Sequence, residues 1–264
     1  MKSVDTQIID LGGWLEQPAG RYIRAWEQAH FDQLTVNIFG YHALQMGLPH
    51  INALAANRMP HQWHSDHVFK SDEYTDKNKN GNTVNRKQAS IALIHDFTEL
   101  PFDSQSLDLV VLPHVLEFSS EPHQVLREVE RVLIPEGRVI VCGFNRRSLW
   151  GARQKISKNF LPDKGEYIAP ARLRDWLKLL NMEVDQTHFG AYALPFRNEK
   201  WLQRTACLEK LGARWWPFLG AVYMLQGIKR VRGMHLIGPV LNRKKYKETN
   251  AIPVTNKYLK RSDE

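Results

Sequence analysis

Residues 94–145 read IHDFTELPFDSQSLDLVVLPHVLEFSSEPHQVLREVERVLIPEGRVIVCGFN. With the three residues before it, the stretch opens on Ile91-Ala92-Leu93-Ile94-His95, an unbroken apolar run that stops at Asp96. Leu107–Leu112 is a second such run, stopped by Pro113. Glu121–Leu133 then sets Val125, Leu126, Val129, Val132 and Leu133 along one side at helical spacing. Pro135-Glu136-Gly137 ends that helix, and Arg138–Cys142 is a third strand run. Strands that are apolar throughout, alternating with amphipathic helices, imply a parallel sheet covered on both faces. The fold class is α/β, with right-handed crossovers.

Working outward, His42–Gly47 reads as an earlier strand and Gly20 to about Ile38 as a helix ahead of it. Ile51–Ala56 has the apolar content to open a helix, and Met59–Phe69 has no clear period. Lys70–Arg86 is polar and reads as a long exposed loop. On the far side, Pro170–Leu180 and Lys200–Ala213 read as helices. Met182-Glu183-Val184 is a short strand, and Ala221–Val231 is the last one, after a turn at Trp215-Trp216-Pro217. The domain boundaries follow: an arm at 1–19, docked by Trp14 and Leu15, one domain at 20–238, and a polar, basic tail at 239–264 expected to be disordered.

Composition narrows the class. A chain of 264 residues, 43% apolar and 24% charged, buries a core without disulfide or metal staples. Two cysteines, Cys142 and Cys207, exclude a disulfide scaffold and suit a reducing compartment. The N-terminus lacks a signal-peptide core and no run is long enough to span a bilayer, so the expected location is the cytoplasm. Of the net charge of +8, residues 229–264 hold ten Lys/Arg against three Asp/Glu. That tail is either a solvated solubiliser or a contact for nucleic acid or anionic lipid.

Open parallel sheets bind ligands beyond the carboxyl ends of their strands. That rule selects Gly47, Asp96, Phe97, His114 and Asn145, which come from different strands yet share one crevice. In the same order, Asp96, Leu100-Pro101-Phe102, Asp108, Leu116-Glu117-Phe118, Arg127-Glu128, Arg131-Val132-Leu133, Pro135 and Gly137 resemble the middle of the class I S-adenosylmethionine-dependent methyltransferases. The branch it resembles is the small-molecule "type 11" one. The resemblance is strong over about residues 90–150 and weaker over 20–232.

It implies a Rossmann-like, doubly wound, mostly parallel seven-stranded sheet and S-adenosylmethionine as cofactor. It also implies a cofactor site made by Gln45, Gly47, Asp96, Phe97 and His114, in which Asp96 holds the adenine amine, with Phe97 beside the ring. Asp66 or Asp72 would hold the ribose. His114 and Glu117 would face the methyl acceptor as catalytic groups, since an imidazole titrating near neutrality suits proton removal. Asn145 and Trp150 would line the acceptor pocket.

The first glycine loop departs from the family. Gln45-Met46-Gly47-Leu48-Pro49-His50 keeps only Gly47, and Gln45 replaces the usual carboxylate. Three functions are therefore carried forward. The first is methyl transfer to a small molecule, the second an inactive binding or regulatory descendant, and the third a nucleic-acid methyltransferase using the basic tail. No metal is expected. His61, His64 and His67 would share a helical face, but no partner pattern supports a site. Trp201, Trp215, Trp216 and Phe218 are expected to form a buried aromatic cluster rather than a base-stacking platform. Nothing in the sequence sets the oligomeric state.

Overall fold

The computed structural model describes residues 11–67, 92–156, 161–162, 165–193 and 208–231. The chain divides into two units, Met1–Val231 and Arg232–Glu264, and every described residue belongs to the first. The expected loop at Lys70–Arg86, Trp201 and the tail at 239–264 lie outside the described residues.

Seven strands form one sheet in the order β3-β2-β1-β4-β5-β7-β6. They are β1 (His42–Met46), β2 (His61–Asp66), β3 (Leu93–Ile94), β4 (Leu107–Pro113), β5 (Leu133–Phe144), β6 (Met182–Gly190) and β7 (Val222–Lys229). Strands β1 to β5 pair in parallel, and β7 runs antiparallel to both β5 and β6. The order reverses between β1 and β4, which makes their carboxyl ends the place for a ligand.

Helix α1 (Pro18–Thr35) starts with proline in its first turn, where the missing N–H costs nothing. Ile23, Glu27, Phe31 and Thr35 recur every four residues and face the core. Ahead of it, residues 11–15 form a helical turn. Trp14 meets Phe144 edge to face at 5.5 Å and Leu15 is fully buried, so this arm is docked on the body. Helix α2 (Val115–Phe118) is one turn long. Helix α3 (Pro122–Val132) buries Val125, Leu126, Val129 and Val132. Helices α4 (Leu149–Ile156), α5 (Pro170–Leu179) and α6 (Leu208–Trp215) complete the set, with a 3-10 turn at Pro217–Leu219.

Two sequence motifs have structural explanations here. Arg131 donates to Phe102 O at 2.9 Å and Leu100 O at 3.0 Å, and pairs with Glu128 at 2.8 Å. Glu128 in turn accepts from Leu100 N at 3.2 Å. The helix exit thus clamps the Leu-Pro-Phe turn, satisfying carbonyls that no strand pairs. Asp108 accepts from Tyr41 N and His42 N, each at 2.9 Å, and so fixes the start of β1.

Several expectations need correction. Residues 51–56 form turns rather than a helix. The stretch 59–69 contains a strand, β2, so His61 and His64 fall on opposite faces of the sheet and share no helical side. Strand β6 runs six residues past Val184, and α4 was not foreseen. Trp215, Trp216 and Phe218 are 69%, 57% and 71% exposed, the opposite of a buried cluster.

Candidate active site at the strand tips

Strand β1 delivers Gly47, β2 delivers Asp66, the segment after β3 delivers Asp96 and Phe97, and β4 delivers His114. Gly47 has φ +69°, a left-handed conformation that favours glycine. A Cβ there would come within 3.1 Å of Val115 Cγ2 and 3.6 Å of Phe97 Cζ, so the backbone lies close against both side chains. Gly47 N–H donates to Ser65 O at 2.7 Å, tying the loop to β2.

Gln45 explains how a loop without the usual glycines holds its shape. Its side-chain oxygen accepts from Ala53 N at 2.8 Å. Its Nε2 donates to Ile51 O at 2.7 Å and lies 3.3 Å from Gly47 O and 3.4 Å from Leu48 O. A carboxamide both donates and accepts, so one side chain closes the loop from both sides. A carboxylate could only accept.

Asp66 is the last residue of β2 and is buried, with Oδ1 accepting from His67 N at 2.7 Å. Asp72, the other ribose candidate, lies outside the described residues. Asp96 Oδ1 accepts from Thr98 N at 2.9 Å and Thr98 Oγ1 at 2.8 Å, which lowers its pKa. Phe97 is buried, and its ring meets His67 and His95 edge to face, each at 5.7 Å. It therefore serves as a floor of the crevice.

His114 is only 1% exposed and has φ +57°. Its Nδ1 lies 2.8 Å from Glu117 Oε2 and its Nε2 lies 2.7 Å from Glu27 Oε1 on α1. Burial opposes its charge, but Glu27, Cys142 and Glu117 outweigh that and hold its pKa well above the ordinary value. Burial raises the pKa of Glu117, against the bonds it receives from His114 and from Phe144 N at 2.6 Å. Cys142 Sγ sits 3.5 Å from Glu27 Oε1, and burial pushes its thiol far up, so it is no nucleophile.

His114 and Glu117, expected to act on the acceptor, have their polar atoms engaged by protein partners in this structure. With Nδ1 on Glu117 and Nε2 on Glu27 neither ring nitrogen faces the strand-tip opening, and the two Glu117 oxygens are taken by His114 and Phe144 N. Glu27 is the partner that sequence reading missed. Its signal was an acidic residue standing in the apolar stripe Ile23–Glu27–Phe31. Glu27, His114 and Cys142 place donor atoms within 4.8 Å of one another, the one group of metal-ligand type among the described residues. The 2.7 Å separation of His114 Nε2 and Glu27 Oε1 is that of a hydrogen bond, shorter than two ligands of one tetrahedral ion stand apart.

Asn145 spends its amide on Phe218 O at 2.8 Å and Gly220 O at 3.0 Å, so it shapes a turn and does not reach for a ligand. Trp150 is buried and donates to Ala193 O at 2.7 Å. It lines a cavity of about 270 Å³ with Leu149, Ala191, Tyr192, Trp216 and Leu219. These residues follow β5 and β6 or precede β7, so the cavity opens at the same end of the sheet as Gly47 and Asp96.

Residues 63–141 match the family described as "Methyltransferase domain". That match covers 79 of the 264 residues, so it is this stretch that is similar to a methyltransferase domain. The chain's seven-stranded order and antiparallel β7 are those of a Rossmann-like methyltransferase sheet. Among relatives, the uncharacterized protein YafS of Escherichia coli K12 is 28% identical over 175 residues, 65% of either chain. The match thus spans slightly under two thirds of that relative's length. A demethylmenaquinone methyltransferase of Clavibacter sepedonicus is 41% identical over 56 residues, 21% of this chain and 23% of that one.

Among solved structures, the Haloferax volcanii complex between the Trm112 methyltransferase activator and the putative methyltransferase aligns with TM-score 0.57 at 17% identity. It covers 88% of this chain and 100% of that one. A possible histamine N-methyltransferase from Thermotoga maritima aligns with TM-score 0.55 at 14% identity, covering 79% and 92%.

Methyltransferase domains of this kind use S-adenosylmethionine as cofactor, and the residues to compare with its adenosine half are those at the tips of β1, β2 and β3. Gly47 packs its Cα against Val115 and Phe97, Asp66 and Asp96 carry carboxylates at the neighbouring strand tips, and Phe97 is buried beside them. The departure is at Gln45, whose amide is consumed by the loop.

Proposed function

We propose that the protein is an S-adenosylmethionine-dependent methyltransferase acting on a small, apolar acceptor. The observation that carries this reading is the row of Gly47, Asp66 and Asp96 at the tips of three adjacent parallel strands. Asp66 accepts the ribose hydroxyls and Asp96 the adenine amine. When bound, the cofactor supplies an electrophilic methyl on a sulfonium that is its own leaving group. This chain's residues therefore bind, orient and exclude water. Gln45 holds the 47–53 loop rigid beneath the cofactor. Glu27, His114 and Glu117 are positioning residues that fasten α1 over the ends of β4 and β5.

The acceptor enters the cavity lined by Trp150, Tyr192, Trp216 and Leu219. Its lining is almost wholly apolar, which selects an apolar body. Similarity to two demethylmenaquinone methyltransferases, over 21% and 20% of this chain, supports an acceptor of that character.

Isothermal titration with S-adenosylhomocysteine tests the cofactor half. Binding is expected, with Asp66→Asn and Asp96→Asn each weakening it about tenfold, the effect of one lost charge-assisted bond. Absence of heat and of any thermal shift at millimolar ligand overturns the proposal. It would leave a non-catalytic member of the family, its loop closed by Gln45.

A further inference from the structure

We propose that the face formed by Trp215, Trp216, Phe218 and Leu219 docks this protein on an anionic lipid bilayer. Large apolar side chains seldom stand in solvent as a group unless something covers them. Here four of five consecutive residues after Arg214 do so, at 69%, 57%, 71% and 37% exposure, and Leu149 adds 48% from the start of α4. Tryptophan is the residue whose amphipathic ring settles at a bilayer's headgroup level.

The patch is rigidly mounted. Tyr192 OH donates to Pro217 O at 2.6 Å, and Leu219 N to Trp216 O at 3.0 Å. Gly212, one turn back on α6, lies so near Tyr192 that a Cβ would meet its ring at 2.4 Å. Docking therefore costs little ordering of the backbone.

Charge identifies the occupant. The Asn145 amide fastens to Phe218 O and Gly220 O, which sets the next two residues, the exposed Arg146 and Arg147, beside the aromatic turn. Arg153 and Arg214 are exposed on the adjoining helices. Neither 145–153 nor 212–221 contains an aspartate or glutamate. Apolar rings flanked by Arg146, Arg147 and Arg214, with the nearby Glu209 turned inward onto Ala191 N and Tyr192 N, match an anionic headgroup layer over an acyl interior, where each cation contributes about 1 kcal/mol. A second copy fits poorly, because a two-fold contact would set these arginines against themselves. A nucleic acid fits poorly too: Leu219 and Leu149 are not stacking platforms, and the patch offers no amide or carboxylate to read a base edge. Trp216 and Leu219 also line the 270 Å³ cavity, so a docked protein opens that cavity toward the acyl layer.

The experiment is sedimentation of the full chain with vesicles of phosphatidylcholine, with and without about 30% phosphatidylglycerol. No cofactor is added, so its outcome is independent of the methyl-transfer reading. Binding is expected only with phosphatidylglycerol, with a blue shift of tryptophan emission and release at about 1 M salt. Trp215→Ala/Phe218→Ala should weaken it about tenfold or more, from lost apolar burial. Arg146→Gln/Arg147→Gln should weaken it severalfold. Both pairs are exposed, and an unchanged melting temperature confirms folding. Unchanged binding by both pairs, as the basic tail alone would give, overturns the proposal. So does equal binding to neutral vesicles, a dimer that the aromatic pair dissolves, or aromatic-dependent retention by single-stranded RNA in place of vesicles.

Discussion

His114 Nε2 lies 2.7 Å from Glu27 Oε1, although 87 positions separate the two residues along the chain. The contact joins the middle of α1 to the tip of β4 in a fully buried setting. Glu117 holds the other ring nitrogen at 2.8 Å and bonds Phe144 N at the end of β5. One imidazole ring thus links the covering helix to two central strands. Ions taken out of water are stable only while their partners stay in place.

His114→Gln removes the charge that two buried carboxylates face. The expected loss is about 3–5 kcal/mol of unfolding free energy, the usual effect of breaking a buried pair. Urea unfolding measures it, and a loss below about 1 kcal/mol, the range of an exposed pair, refutes the coupling.

The same network predicts how stability depends on pH. The folded pKa of His114 is raised above its unfolded value of about 6.5, so the folded state binds the extra proton. Its contribution is complete below that value and is lost as pH rises through the folded pKa. Glu117, also raised, begins its loss lower, from near the ordinary carboxylate value. Wild-type stability should fall as pH rises above about 6.5, and His114→Gln should flatten the slope. Parallel profiles for the two proteins would count against a protonated His114.

Gln45→Glu restores the acid that the wider family carries, yet it should weaken this protein. The new carboxylate would face Ile51 O, Gly47 O and Leu48 O with no proton to give. A loss of about 2–4 kcal/mol is expected from a buried charge set against carbonyls. Thermal melts check it. An unchanged melting temperature with tighter S-adenosylhomocysteine binding would show that the loop does not depend on the amide.

Physical signal decided what could be read from sequence. Leu107–Leu112 was legible because β4 is buried on both faces, leaving a run with one interpretation. Strand β2 was not, since His61-Gln62-Trp63-His64-Ser65-Asp66 has no apolar run. It relies instead on neighbours, with His61 stacked on His42 at 5.0 Å and Trp63 on His42 at 5.3 Å. Ile51, Ala53 and Leu54 misled toward a helix because all three are buried. The Gln45 side chain takes the Ile51 carbonyl and the Ala53 amide that a helix would have used. Asp96 was placed by the strand-end rule, whereas the state of His114 depended on Glu27, which no local pattern connects to it. Trp215 and Trp216 read as core residues on hydrophobicity alone, which says nothing about partners.

Gly47 joins fold and ligand, so Gly47→Ala should affect both. At φ +69° an added Cβ costs about 1–2 kcal/mol in backbone strain. It would also stand 3.1 Å from Val115 Cγ2, forcing the loop away from the strand tips. The expected result is a lower melting temperature and an affinity for S-adenosylhomocysteine reduced about tenfold or more, since the displaced loop is the one proposed to meet the ligand. Gly13, in the first helical turn with open space around it, is the control: alanine there should leave affinity unchanged. A Gly47→Ala protein that melts early but binds normally would remove this glycine from the ligand site and leave it a structural role alone.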